Sequence, residues 1–406
     1  MKIPYGKSSL EFSIDGAEVV HPHDHLSSGK DEIREALSAP ISSEPLFRIA
    51  KPGNKVSIIV SDATRASPTQ AMLRPLTEEL KKGGVALHDI TIVFGLGLHR
   101  RQTEDEKRAI LGEFYAMQHV EHNLADCVHV GTTSRGTPVE VFRRVADSDV
   151  VVCTGDIEFH YYAGYTGGAK ALLPGVCSKK TIDMNHSLML DPNSTIGRLD
   201  GPVRKDIDEA GSIFGIDFIL NTVINSGGEV VGAVAGNPVE AHRAGAKIVD
   251  HMYRVSIEEP ADVAVVSPGG YPKDIDIYQS HKAIENVRLA VKDGGAIILA
   301  AECKEGYGNR VFASWLDQCT TREAAVEKFR SGFEMGGHKA ALLAGLAKKF
   351  EMYLVSSLPE DMVRRAYLRP AKSIQQALDE IKGRKSNARV VIVPNASYTL
   401  VDAGKR

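Results

Sequence analysis

Short, almost wholly apolar runs recur along the chain and set its architecture. KVSIIVSD (55–62), DITIVFGLG (89–97) and DSDVVVCTGD (147–156) are rich in β-branched residues and show no polar alternation. A run of that kind is a strand covered on both faces, the condition of a parallel sheet. Helix signals fill the gaps between them. SPTQAMLRPLTEELKKG offers Ser67 as a cap, Pro68 at the first helical position and Gly83 after the end. TEDEKRAILG opens on a capping box, Thr103 to Glu106. Strands alternating with helices predict an α/β fold with a mostly parallel sheet.

The pattern continues downstream. DFILNTVIN and EVVGAVAG, with Gly227 and Gly228 between them, predict a hairpin, and a helix follows from Asn237 and Pro238. ADVAVVSPGG (261–270) opens a second α/β lobe, which runs on through a helix, AIILAAEC, three helical stretches and MYLVSS. The last strand, ARVVIVPNAS (388–397), is expected to return to the first lobe. The expected domains are therefore 1–255, completed by 380–406, and 260–375, with a ligand cleft between the two lobes.

Composition removes several classes of function. A net charge of −3 gives no global field for nucleic acid or an anionic membrane. No apolar run has the length of a membrane span or a signal-peptide core, so a cytoplasmic location is expected. Five cysteines are scattered without a CxxC pair, against a disulfide framework or a zinc knuckle. HPHDH (21–25) has the right residues for a metal, but Pro22 rules out helical i,i+4 ligand geometry there.

Polar chemistry collects where strands end. SIIVSDATR delivers Asp62, Thr64 and Arg65; TIVFGLGLHR delivers His99 and Arg100; VVVCTGDIEFH delivers Asp156, Glu158 and His160. Ligands of open parallel sheets bind just beyond the carboxyl ends of strands, so three such exits predict one site. Taken singly, each histidine is more simply a hydrogen-bonded structural residue, and Arg65 is a turn partner for Asp62. The glycines of GLG lack the third glycine of a dinucleotide fingerprint, and GYTGGAK is not a phosphate-cradling loop, because neither Ser nor Thr follows Lys170.

Lys170 sits in an apolar setting, behind Gly167 and Gly168 and before Leu172, Leu173 and Pro174. Burial disfavours its charged form and exposes a nucleophilic amine. The glycines permit a left-handed turn or close approach to a flat cofactor. His186 follows in TIDMNHSLM as a possible metal ligand. In the second lobe, Gln279 and Lys282 share one helix face in YQSHK, where a cation near the helix start makes sense beside a bound anion.

Together these motifs resemble the nickel-dependent lactate racemase family. The family's D-x-T-R, strand-exit H-R, I-E-x-H, glycine–lysine, N-H and Y-Q-x-x-K motifs read here DATR (62–65), GLGLHR (95–100), IEFHYYAGYTGGAKALLPG (157–175), NH (185–186) and YQSHK (278–282), in family order. The resemblance implies a nickel-pincer nucleotide, a Ni(II) pyridinium-3,5-bisthiocarboxylic acid mononucleotide, made by separate cofactor-biosynthesis proteins. It implies Lys170 as the covalent attachment point and His186 as a nickel ligand. His99 and His160 would be the acid/base pair. Asp62, Thr64, Gly167 and Gly168 would contact the cofactor, while Arg65, Tyr278, Gln279 and Lys282 would hold the substrate. The first lobe would then bind cofactor and the second would cap the substrate.

The implied reaction inverts C2 of a small 2-hydroxy acid by moving a hydride out and back, while imidazoles handle the hydroxyl proton. His281, Lys273, Tyr161, Tyr162 and Arg100 would favour a larger or dicarboxylic acid such as malate or a sugar acid over lactate. Three other readings compete: a cofactor-free two-base epimerase, a non-catalytic nickel- or nucleotide-binding protein, and an ordinary nicotinamide dehydrogenase.

Overall fold

A computed structural model describes residues 1–23, 31–65, 67–225 and 227–404. Of the HPHDH cluster, Asp24 and His25 lie outside the described residues. The chain forms two compact units, Asp24–His251, and Met1–His23 with Met252–Arg406.

The Asp24–His251 unit is built on a six-stranded sheet. Its order across the sheet is Val230–Gly236, Phe218–Ile224, Val150–Asp156, Val56–Ser61, Ile90–Gly95 and His119–Glu121. The three central strands are the apolar runs read from sequence, and they pair in parallel. Their side chains are buried along nearly their whole length, which is why no polar alternation was needed. The hairpin of Phe218–Ile224 with Val230–Gly236 forms as expected and gives this sheet its antiparallel edge. Ile58, Val60, Ile92, Phe94 and Val152 join Met72, Leu73, Leu76 and Leu80 of the helix Thr69–Lys82 in one core.

Helix ends follow the sequence with one adjustment. The Thr103–Glu106 capping box is present on Glu104–Leu111. On Thr69–Lys82, however, Pro68 is the cap residue and makes no side-chain cap bond, so Ser67 stands one place too early for that task. Gly83 ends that helix as read.

The second unit carries its own six-stranded sheet, ordered Arg369–Ala371, Glu351–Val355, Val291–Ala300, Ala261–Val266, Val390–Val393 and Glu18–Val19, with every pairing parallel. Here the expected domain boundaries are corrected. Val390–Val393 does not return to the first lobe. It lies against Ala261–Val266, with Val263 opposite Val390, and the N-terminal Glu18–Val19 pairs on its other side. The apolar run VVIV announces a buried strand but carries no local mark of which sheet will take it. That choice is made by packing, here against Val263, Val265, Ile298 and Tyr353. Among the described residues no helix is long and apolar enough to cross a membrane.

Candidate active site

The three strand exits named from sequence belong to neighbouring strands, so topology alone brings them to one edge of the first sheet. Asp62 follows Val56–Ser61 directly. It is 5 % exposed, and its Oδ2 lies 2.5 Å from His99 Nδ1. Its Oδ1 accepts from the Thr64 backbone N–H at 2.8 Å and the Thr64 hydroxyl at 2.5 Å. Burial works against ionisation, but the bonds from His99 and Thr64 outweigh it and hold the carboxyl below its ordinary value. Of these two residues, expected among the cofactor contacts, Asp62 is buried and bonded on both oxygens, while Thr64 is exposed and donates to Asp62. A carboxylate facing Nδ1 accepts a hydrogen bond from its N–H and leaves the lone pair of a neutral His99 on Nε2.

The glycines beside His99 have a packing role. The Gly97 N–H donates to the Gly175 carbonyl at 2.9 Å. A Cβ on Gly95 would stand 3.3 Å from Gly175 Cα. This backbone-to-backbone contact joins the His99 loop to the segment that carries Lys170.

His160 lies on a two-residue strand, Phe159–His160, paired with Gly164–Tyr165. Tyr161 stacks on its ring at 4.9 Å, and Tyr162 meets it edge-on at 4.4 Å. The Ala163 backbone N–H donates to His160 Nδ1 at 3.3 Å, so a neutral His160 carries its proton on Nε2. Burial, then the charges of Lys170, Arg65 and His186, push the imidazole well below its ordinary pKa. The Tyr162 ring lies between the two histidines, 4.4 Å from that of His160 and 5.2 Å from that of His186. Arg65 itself pairs with Glu158 at 3.5 Å, not with Asp62.

Lys170 stands in the short turn Gly168–Ala171 and is half-buried. Its amine has no hydrogen-bond or ion-pair partner among the described residues. Burial, followed by the nearby Arg65 and Arg204 cations, lowers its pKa to about 7. The glycine hinge before it takes left-handed angles, φ 77° at Gly167 and 61° at Gly168. A Cβ at Gly167 would meet Ile157 at 2.7 Å, and one at Gly168 would meet His242 at 2.8 Å. The glycines thus answer to protein packed behind them, in addition to whatever binds in front.

Three residues that sequence reading passed over hold this hinge. Arg204, fully buried, donates to the carbonyls of Ala163, Tyr165 and Gly167 and pairs with Asp208 at 3.4 Å. Asn221 accepts from the Gly168 N–H at 2.8 Å. His242 Nε2 lies 2.7 Å from the Thr166 carbonyl. Arg204 sits on the helix Pro202–Phe214, whose Gly201–Pro202 start and Gly215 end were signals available in the sequence.

His186 is buried on the helix Lys179–Ser187, with Tyr162 edge-on at 5.2 Å. Among the described residues no three His, Cys, Asp or Glu side chains could together hold a metal. His186 would thus be a lone protein donor, which fits a metal whose other donors arrive with a cofactor. A neutral amine on Lys170 fits covalent attachment of that cofactor.

In the other unit, Tyr278, Gln279 and Lys282 lie on the helix Ile277–Val287. The Lys282 amine has no hydrogen-bond or ion-pair partner among the described residues. Lys273, half-buried, has its pKa lowered to about 8 by burial and then by the charge of Lys282. The Tyr278 ring packs on Phe312 and beneath the Lys339 amine. Two of the residues expected to favour a larger acid, His281 for its charge and Arg100 for its polar bulk, have partners within the protein. His281 is 2 % exposed, lies 3.4 Å from Glu285 and is held well below its ordinary pKa by burial. Arg100 is spent on a two-pronged bond to Glu106, at 2.8 and 2.6 Å.

The Lys170 amine gives a direct test. A lysine whose folded-state pKa is depressed is neutral above about 7. The unfolded chain then holds the extra proton between that value and the ordinary 10.5, so this group favours folding more as pH rises through the window. At neutral pH its share of free amine exceeds that of a surface lysine on the order of a thousandfold. In protein free of cofactor, an amine-acylating reagent is expected to mark Lys170 first, with half-maximal rate near pH ~7. Peptide mapping across a pH series checks this, and a half-maximal pH above ~9 would contradict it.

Two family models match the chain, the lactate racemase N-terminal domain over residues 5–197 and the lactate racemase C-terminal domain over 257–401. A lactate racemase from Thermoanaerobacterium thermosaccharolyticum is 30% identical over 422 aligned residues, covering 99% of each chain. One from Lactiplantibacillus plantarum is 27% identical, covering 98% of this chain and 99% of the other. The solved structure of the T. thermosaccharolyticum lactate racemase apoprotein superposes with a TM-score of 0.89 at 32% identity, over 98% of this chain and 99% of that one. A Thermotoga maritima protein, 21% identical with a TM-score of 0.66, shares the fold.

Proposed function

The chain belongs to the lactate racemase family and is an isomerase, and from that premise we propose that it inverts C2 of a 2-hydroxy acid, with lactate the first candidate. The observation that supports the reading is the grouping of His160 and His186 about the Tyr162 ring, at 4.4 and 5.2 Å, with the charges of Lys170 and Arg65 acting on His160; His99 stands on Asp62, at the end of a neighbouring strand.

The nickel-pincer nucleotide, when bound, supplies the acceptor and donor for the substrate's C2 hydride. Lys170 would hold it covalently, and His186 would serve its nickel. The remaining work belongs to side chains of this protein. His99 is set to receive the hydroxyl proton, because Asp62 occupies Nδ1 and Nε2 keeps its lone pair. In the neutral ring the Ala163 N–H occupies Nδ1 and Nε2 bears the hydrogen, so His160 can return a proton only as the imidazolium, with a second hydrogen on Nδ1 in place of the Ala163 contact. Passage in the opposite direction, with His160 receiving the proton on Nε2, likewise needs a hydrogen on Nδ1 and the 3.3 Å Ala163 contact open. Arg65, which pairs with Glu158 at 3.5 Å, is assigned to the substrate carboxylate by the family resemblance. The same role for Gln279, Lys282 and Tyr278 rests on the family resemblance alone.

Lactate is preferred to a larger acid because Arg100 is paired with Glu106 and His281 is buried against Glu285, leaving Lys273 alone of the two expected cations. Protein made together with cofactor-assembly proteins is expected to remove the optical rotation of enantiopure lactate at least about tenfold faster than that of malate. Faster turnover of malate would restore the larger-acid reading. Activity surviving complete metal removal would establish a cofactor-free two-base epimerase instead. Nickel and nucleotide bound without turnover of any 2-hydroxy acid would mark a binding protein.

A further inference from the structure

Behind His186 lies a buried polar chain that the reaction does not call for. Asp206, on the helix Pro202–Phe214, is fully buried. It accepts from the Thr133 hydroxyl at 2.6 Å, the Thr137 hydroxyl at 2.9 Å and Asn185 Nδ2 at 2.8 Å. Both threonines sit in the turn between the strands Cys127–Thr132 and Pro138–Phe142. Asn185 Nδ2 also faces the Val203 carbonyl at 3.3 Å. Its Oδ1 lies 3.2 Å from His186 Nδ1.

These contacts leave one consistent assignment. Turning the Asn185 amide over would set its oxygen against a carboxylate and a carbonyl, with no donor between them. The NH2 must therefore face Asp206, and the oxygen must face His186. An oxygen there requires a hydrogen on Nδ1. A neutral His186 then carries its lone pair on Nε2, although a free neutral imidazole in water favours the other tautomer.

We propose that Asp206, acting through Asn185, is a positioning residue that fixes His186 as its Nδ1–H tautomer and so keeps the Nε2 lone pair available for a metal. The proposal rests on reading His186 as the nickel ligand. The Pro202–Phe214 helix thereby sets both halves of the site, since Arg204 fixes the Lys170 hinge and Asp206 fixes His186. Partners on the far side of a ligating imidazole typically govern metal affinity by 10- to 100-fold.

The test is long-range proton–nitrogen NMR on the full chain carrying 15N-histidine, at about pH 8 where an imidazole of ordinary pKa is neutral. A His186→Gln protein identifies the His186 signals. The wild-type ring is expected to show a protonated Nδ1 and a bare Nε2. In Asn185→Leu, which keeps volume and removes both polar atoms, the hydrogen is expected to move largely to Nε2. Nickel retained by the cofactor-loaded variant against a chelator is expected to fall about 10- to 100-fold. A merely structural role for Asn185 would not move the tautomer. A wild-type His186 bearing its hydrogen on Nε2 overturns the proposal, as does an Asn185→Leu spectrum unchanged from wild type. The wild-type spectrum decides by itself if the variant does not fold. Nickel content of loaded His186→Gln tests the ligand reading separately, so failure of either is visible alone.

Discussion

Lys170→Arg, made alongside the cofactor-assembly proteins, is expected to emerge with the mass of the bare chain and with racemisation at background. Arginine keeps the length, the stem and the positive charge. It cannot supply a neutral amine, because the guanidinium holds its proton beyond any working pH. The wild-type lysine differs in this one respect: burial and the neighbouring Arg65 and Arg204 bring its pKa to about 7, so about half the molecules offer a free amine at neutrality. The hinge should survive, since Arg204, Asn221 and His242 hold backbone atoms of residues 163–168 rather than the lysine head. Intact-mass measurement of both proteins, with a thermal melt to confirm folding, checks the result. An adduct of equal mass on Lys170→Arg would remove Lys170 from its role.

Loss of either histidine proposed as acid or base should cripple racemisation while sparing one half of the chemistry. His99→Ala and His160→Ala are each expected to lower kcat by about 10²- to 10⁴-fold, the usual reach of a positioned general acid or base. In a two-base arrangement each imidazole serves one orientation of the hydroxyl. Each variant should therefore still oxidise one enantiomer to the 2-keto acid in a single turnover, and the two variants should choose opposite enantiomers. Rapid-quench measurement of keto acid from each enantiomer reads this directly. If both variants favour the same enantiomer, the two rings do not act on opposite sides of the substrate.

The wild-type enzyme must respect a further constraint. For a substrate with one stereocentre the equilibrium constant is unity, so kcat/KM is equal in the two directions at every pH. The inequivalence of the rings, one on a carboxylate and one on a backbone N–H, can then appear only in kcat and KM separately.

Much of the scaffold was legible in advance. The three apolar runs, the capping box on Thr103 and the hairpin near Gly227 are encoded within a few residues of where they act, and they form where they were read. The strand exits were legible for the same reason: strand order turns neighbouring carboxyl ends into one edge. Other features were not. Asp62 and His99 are 37 positions apart, and nothing local says that the carboxylate belongs to the imidazole. Asp206 reaches Thr133 across 73 positions and Asn185 across 21. His281 reads as an available cation until burial and Glu285 are seen.

The amino-acid order by itself determined which segments are strands and helices, that they build largely parallel sheets, and which polar side chains collect at the ends of neighbouring strands. Only the tertiary structure decided which sheet received the final strand, which carboxylate oriented which ring, and how far a lysine's proton was loosened. The division is physical. Secondary structure follows from steric preference and solvent exposure over a handful of neighbouring residues. Tautomers, ion pairs and desolvation depend on atoms that the chain brings together from far apart, and no short stretch contains them.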